Sequence, residues 1–260
     1  MNLGWSFGGA LGGFLASANY HYLFYVDGIT NIFAGLLLLK LLPNVKKLKV
    51  RKELEEKVFT RSAYTDKLYL LFILLTMLFA SCFFQLFTMQ PVFFKTEWNF
   101  NEQFIGLLMA FNGLLIVATE MVLIHKLEGK KPGMYFITIG VLLVGFAFML
   151  FNIFPAAVWV ALLSTVVITL GEMLSMPFMN TFWISRSTEN NRGEYAGLYT
   201  IAWSAAQSLA PIYGAILIQQ GGYSLLWWFV GGFCCLTSAG YFCIYKLDVI
   251  KKWKLKYLTA

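Results

Sequence analysis

The chain has 260 residues, 59% hydrophobic and 13% charged, with a formal net charge of +7 and a mean hydropathy of +0.68. Soluble domains carry roughly 45–50% apolar and about 25% charged residues, so a water-soluble core is excluded and lipid must solvate much of this surface. The basic excess does not indicate nucleic acid, because the lysines and arginines sit between apolar segments and not on one face of a soluble domain.

In chain order, apolar runs long enough to cross about 30 Å of hydrocarbon fall at 2–19, 21–42, 67–91, 103–124, 133–153, 156–179, 195–218 and 223–245. The start is rich in glycine and lacks the charged region of a signal peptide. The tight gap from Asn19 to Tyr22 predicts a hairpin of the first two helices. Turn chemistry separates later spans at Lys131-Pro132-Gly133, Asn152 to Pro155, Asn190 to Gly193 and Gly221-Gly222. Between the second and third spans lies a hydrophilic stretch, Pro43 to Asp66, either a solvated linker or a surface helix against anionic headgroups.

Eight crossings sort the gaps onto two faces. One collects Lys40 through Lys67, Lys126, Lys130, Lys131, Arg186, Arg192 and the tail lysines 246, 251, 252, 254 and 256, which is 19 of the 20 Lys/Arg; the other holds Lys95 alone. The positive-inside rule places the rich face, and both termini, in the cytoplasm. The expectation is an all-α, multi-pass protein of the cell membrane with about eight transmembrane helices. Its expected parts are 1–42 (two helices), 43–66 (basic linker), 67–246 (six-helix bundle) and 247–260 (cytoplasmic tail).

Cys82, Cys234, Cys235 and Cys243 all lie in apolar runs without metal-ligand spacing, so they are expected as packing residues with no metal or cofactor. A membrane enzyme would need clustered His, Asp or Arg at an interface. The two histidines, His21 and His125, stand far apart at helix ends, which argues against an acyl or glycosyl transferase.

An ionised carboxylate at the bilayer centre is disfavoured by roughly 2.5–3.5 kcal/mol on insertion scales, so each needs a reason. Glu172 falls about five residues, or ~7 Å, on the cytoplasmic side of its span's midpoint. It reads either as a proton acceptor or site for a cationic group facing a cavity, or as a structural hydrogen bond. Glu120 either lines a path or pairs near His125 and Lys126, and Asp27 either lines a path or caps the interface. Gln85, Gln90, Asn112 and Gln207 are uncharged polar groups in spans, read as pathway lining or interhelical bonds. Met173, Met176 and Met179 read as core, and Trp203, Trp227 and Trp228 as interfacial anchors.

A weak repeat links the first and seventh helices: Trp5-Ser6 and Trp203-Ser204 each open a stripe of small residues. Gly4, Gly8 and Gly12, four apart, form a face on which helix backbones can approach. Such repeats are common in transporters.

Gly8-Gly9-Ala10-Leu11-Gly12-Gly13 is similar to the Gly-Pro-x-x-Gly-Gly signature in the fifth helix of major facilitator antiporters, with Gly9 in place of the proline. Ala210-Pro211-Ile212-Tyr213-Gly214-Ala215 resembles its echo in the eleventh helix. The loop Lys126-Leu127-Glu128-Gly129-Lys130-Lys131 resembles the superfamily's cytoplasmic loop between helices eight and nine. Phe111-Asn112-Gly113, Gly171-Glu172-Met173 with Pro177, and Arg192-Gly193-Glu194-Tyr195 look like helices eight, ten and eleven of drug-efflux-type members.

The resemblance covers nearly the whole chain and implies helices five to twelve of the major facilitator fold. On that alignment the first four helices are absent, and a partner or missing segment would supply them. The implied function is proton-coupled secondary transport of a small solute by alternating access, with protons, solute and the lipid bilayer as partners. The alternatives are a non-transporting fragment or scaffold and a peptide/proton symporter-like protein.

Overall fold

Helices make up every regular element of the described chain: α1 (Asn2–Ala18), α2 (Tyr20–Leu41), α3 (Lys67–Phe83), α4 (Met89–Thr96), α5 (Glu102–Leu127), α6 (Gly133–Ile153), α7 (Val158–Arg186) and α8 (Arg192–Leu258). Short 3-10 turns occupy Ala63–Thr65 and Phe84–Leu86. The computed structural model describes residues 2–41 and 62–258, with 2–7, 9–10 and 248–258 described as backbone alone. Residues 42–61, most of the expected linker, lie outside the described residues, as do the side chains of Gly4's turn and of the tail lysines from 251 onward.

Six helical runs are long and apolar enough to cross a bilayer. The last of them, Arg192–Leu247, is two helices: Gly221 (φ −154°, ψ 20°) and Gly222 (φ 69°, ψ −173°) break it, and the left-handed φ of Gly222 suits glycine. With α1, whose 17 residues are about the shortest length that spans, eight crossing segments result. The α1–α2 hairpin forms as expected, with Asn19 alone between the helices and its side chain accepting from the His21 amide at 2.9 Å.

The third span is not one straight helix. Pro91 has no amide hydrogen to bond the carbonyl four residues back, and a proline fits the first turn of a helix, so the chain breaks at 84–88 and α4 restarts just before it. The Gln85 side chain, buried here, donates to the Ala210 carbonyl of α8 at 2.8 Å. Opposite this break Gly214 lets α8 approach: an added Cβ would meet Met89 at 2.9 Å and Gln85 at 3.0 Å.

The end of the sixth expected span moves too. α7 continues through Pro177 to Arg186, past the expected end at 179. The Thr181 hydroxyl, bonded to the Pro177 carbonyl at 3.0 Å, helps the polar last turns stay helical. Likewise α8 carries helical backbone to Leu258, through most of the expected tail.

α6 is the centre of the bundle, packed along α7 and along the second limb of α8, while α3 packs on α8. Glycines set these distances. Cβ atoms on Gly140 and Gly171 would sit 2.5 and 2.6 Å from each other's carbonyl oxygens, so α6 and α7 touch backbone to backbone. Aromatic residues fill both ends. Trp227 is fully buried and stacks on Phe148 at 5.4 Å with a 4° interplanar angle, so it is core and not the interfacial anchor expected from sequence. Trp228, its neighbour, is 49% exposed, as an anchor would be.

The contacts also sort the helix ends into two faces. At one, Asp66 caps α3 by accepting from the Tyr69 amide at 3.2 Å and receives Arg186 of α7 (Nη2 2.6 Å, Nε 3.0 Å) and the Tyr195 hydroxyl of α8 (3.1 Å). At the other, Asn152 donates to the Ser224 carbonyl at 2.8 Å, and Phe93, Trp98, Phe151 and Tyr223 cluster. α2 has no buried residue. α1 is joined to the larger body along α5.

Candidate functional site

Two cavities open where these helices do not fill the space between them. The larger, about 780 Å³, lies between α1, α4 and α5 and is lined by the glycine stripe of α1 (Gly8, Gly12, Gly13), by Pro91 and Met109, and at its mouth by Tyr20, Lys95 and Glu102. The second, about 540 Å³, lies between α3, α5, α7 and α8 and is lined by Phe83, Phe84, Tyr199, Trp203, Met176 and Glu172. Phe87 and Asn112 line both, so the two cavities adjoin.

Glu172 sits midway between Val158 and Arg186, the ends of α7, which runs seven residues past the expected span. Its position follows from the α6–α7 contact: Gly171 faces α6, which turns the next residue, 100° on, toward the cavity. Asn112 of α5 donates to Thr169 Oγ1 at 2.9 Å and to Glu172 Oε2 at 3.4 Å. Thr169 in turn donates to the Thr165 carbonyl at 2.6 Å, leaving its lone pairs aimed at Asn112. Glu120, one helical stretch further along α5, is close enough for its charge to act on Glu172.

No lysine, arginine or histidine lines the second cavity among the described residues. Its wall is aromatic. Trp203 meets Phe84 at 5.8 Å and 84° and Phe83 at 6.3 Å and 77°, both edge to face. A carboxylate in an aromatic-walled cavity without a compensating cation among the described residues is chemistry suited to a proton or a positively charged group.

The remaining sequence candidates are not brought to this place. Asp27 is exposed on α2 and accepts from Asn31 at 3.0 Å, and Gln207 is exposed on α8. Gln85 ties α3 to α8, and Gln90 is buried with Oε1 unpaired among the described residues. Met173 and Met179 are core as expected, whereas Met176 lines the cavity.

The close approach of α1 falls at Gly13, whose Cβ would meet the Glu102 carbonyl at 2.7 Å. Gly8 and Gly12 instead face the larger cavity, and Gly4 is described as backbone alone. Pro211 and Gly214 mark the α8 stretch opposite the α3–α4 break. Lys126, Gly129, Lys130, Arg192 and Gly193 are exposed at the end that carries Arg186, with Gly129 in a left-handed turn (φ 77°).

Sequence reasoning missed the aromatic wall, the Asp66–Arg186 pair and the Tyr20–Lys95–Glu102 group. The dense run Phe83-Phe84-Gln85-Leu86-Phe87 ahead of Pro91 was a usable signal for the wall.

Comparison with known proteins bears on the family and the fold. A Na(+), Li(+), K(+)/H(+) antiporter of Planococcus maritimus is 26% identical over 198 residues, which are 70% of this chain and 46% of that protein. The chain therefore spans about half the length of the relative it matches. The crystal structure of a POT family transporter in complex with 5-aminolevulinic acid superposes with a TM-score of 0.60 at 19% identity, over 69% of this chain and 41% of that one. A POT family transporter in complex with a thioalcohol-conjugated peptide gives 0.59 at 19% identity, over 66% and 39%. At that identity the likeness is one of fold. The sequence profile of the Major Facilitator Superfamily matches residues 1–211, and the chain belongs to that superfamily.

Proposed function

We propose that the protein serves proton-coupled movement of a small solute bearing a cationic group across the cell membrane, by alternating access, with Glu172 as the acceptor that proton and substrate share. The observation that carries this reading is the placement of Glu172: central in a spanning helix, lining an aromatic cavity with no basic side chain, and held by Asn112. The antiporter relative exchanges cations for protons by its name, and one carboxylate that takes either occupant is the simplest device for such an exchange.

In this reading residues 1–42 belong to one helix bundle and 67–246 to a second, the 43–66 stretch joins them, and the lysine-rich face with both termini is cytoplasmic. The larger cavity then lies on the boundary between bundles, where family transporters of this architecture would open and close.

The test is reconstitution of the chain in proteoliposomes with an imposed pH gradient and a fluorescent organic cation. Coupled flux that is lost in Glu172→Gln and kept in Asp27→Asn supports the assignment. Flux unchanged in Glu172→Gln removes it, and binding without flux in the unaltered chain favours a scaffold role.

A further inference from the structure

Lys95 is the one lysine or arginine on the lysine-poor face of the sequence reading. It ends α4, and its ammonium donates to Glu102 of α5 at 2.5 Å and to the Tyr20 hydroxyl at 2.6 Å. Tyr20, which starts α2, donates in turn to the same carboxylate oxygen at 3.2 Å, and Lys95 lies 4.9 Å from its ring centroid. One turn away Gln103 donates to the Ser17 hydroxyl at 3.2 Å.

Lys95 and Glu102 belong to the six-helix body and Tyr20 to the α1–α2 hairpin, so the group bridges the two. It also stands at the mouth of the larger cavity, which all three residues line. Beneath it the hairpin and the body touch through Gly13 and Gly106.

We propose that Tyr20, Lys95 and Glu102 form a latch that closes the lysine-poor end of the path between the hairpin and the six-helix body. This rests on the two-sided access of the transport reading. Three features suit a latch better than a permanent brace. Lys95 is exposed and water can replace each of its bonds, so opening strands no buried charge. Directly below, the seam is made at Gly13 and Gly106, where backbone meets backbone with no side chain between them. Lys95 and Glu102 remain paired to each other when Tyr20 leaves, because they sit seven residues apart on one body.

The experiment reads access and not flux. Ala16, which lines the larger cavity, is replaced by cysteine in a chain whose four native cysteines are changed to serine or alanine. Labelling by a membrane-impermeant maleimide is then timed from each side of reconstituted vesicles. Tyr20→Phe, which keeps the ring, and Lys95→Gln are each expected to speed labelling from the lysine-poor side by about two- to fivefold, the range expected of an exposed ion pair. Labelling from the other side should not speed up. The exchange Lys95→Glu with Glu102→Lys should return the slow rate.

An unchanged rate from the lysine-poor side, or an equal rise from both sides, overturns the latch. Flux lost with the one-sided labelling change intact counts against the transport reading and leaves the latch standing.

Discussion

Gly13 and Gly12 are neighbours in sequence, and the structure assigns them opposite responses to alanine. A Cβ on Gly13 would lie 2.7 Å from the Glu102 carbonyl oxygen and 2.9 Å from Gly106 Cα, whereas ordinary contact begins at 3.4 Å, so α1 must retreat from α5 by about 0.7 Å. Both obstructing atoms are backbone, so no rotamer change relieves them. Overpacking of this kind is unfavourable by about 1–3 kcal/mol, against which alanine gains about 1 kcal/mol of helix propensity over glycine. The net is a loosening of the α1–α5 seam by up to about 2 kcal/mol.

A Cβ on Gly12 meets only Leu23 Cδ2 at 3.9 Å, so Gly12→Ala keeps the propensity gain and leaves the seam alone. The assay is cross-linking of Ser17→Cys with Gln103→Cys by a short bis-maleimide in a chain lacking the native cysteines. Gly13→Ala should slow the reaction by about fivefold or more, the factor for ~1 kcal/mol. Gly12→Ala should change it less than about twofold. If Gly13→Ala cross-links as fast as the parent, the glycine contact does not hold the hairpin against the body.

Within the six-helix body, Gly140→Ala should destabilise the detergent-solubilised protein by about 1–3 kcal/mol, because the new methyl strikes the Gly171 carbonyl and the Ser175 amide, whereas Gly232→Ala, with nothing within 4 Å, should be neutral or slightly stabilising. Reversible unfolding in mixed micelles would separate the two signs. At the lysine-rich end, burial opposes the charge on Asp66, but the Arg186 guanidinium, the Tyr69 amide and the Tyr195 hydroxyl outweigh it and hold the carboxyl below the ordinary value of 3.8. A depressed folded value means the stabilisation is complete above that ordinary value and fades as acid titrates the folded group. The melting temperature of the parent should therefore fall more steeply below about pH 4 than that of Asp66→Asn. Asn112→Leu removes a donor from Glu172 and from Thr169, and coupled flux should drop about ten- to hundredfold, the equivalent of ~1.5–3 kcal/mol for a hydrogen bond to a charged group; a drop below twofold would show that Asn112 does not position the carboxylate.

Spans were legible because lipid makes length and apolarity necessary conditions, and because 19 of the 20 Lys/Arg fall in alternate gaps of the sequence or in its tail. The break at 84–88 was not, since Pro91 sits late in an unbroken apolar run and reveals its effect only once the Gln85–Ala210 bond is seen. The end of α7 was misjudged for a related reason. Asn180, Thr181 and Arg186 read as a loop by hydropathy, yet helical carbonyls and Asp66 absorb their polarity. Glu172 could be picked out because a lone carboxylate in a span is conspicuous, but its centrality depended on that misplaced end. The fate of Trp227 was hidden because Trp227 and Trp228 are adjacent on one helix and hydropathy cannot say which faces α6.

The two kinds of contact in this molecule imply where motion is cheap. Inside the body, α6 and α7 meet through carbonyls and glycine Cα atoms, and rings at both ends interlock, with Phe93, Phe151 and Trp227 at 5.2–5.4 Å from one another. Sliding such surfaces forces backbone collisions, so the body moves as a unit or bends where its hydrogen bonds are already broken, at 84–88, Pro211 and Gly221–Gly222. The hairpin meets the body at a glycine contact of the same kind, Gly13 against Gly106, but the group above it, Tyr20, Lys95 and Glu102, is polar where the body's ends are aromatic. The cavity lined by Glu172 adjoins, at Asn112 and Phe87, the cavity that borders that contact. The bonds that position Glu172, from Asn112 and within α7, stay inside the six-helix body, whereas the hairpin contact and the α3–α4 break border the cavities beside it. A proton acceptor needs that separation: its environment must change with access while its own geometry does not.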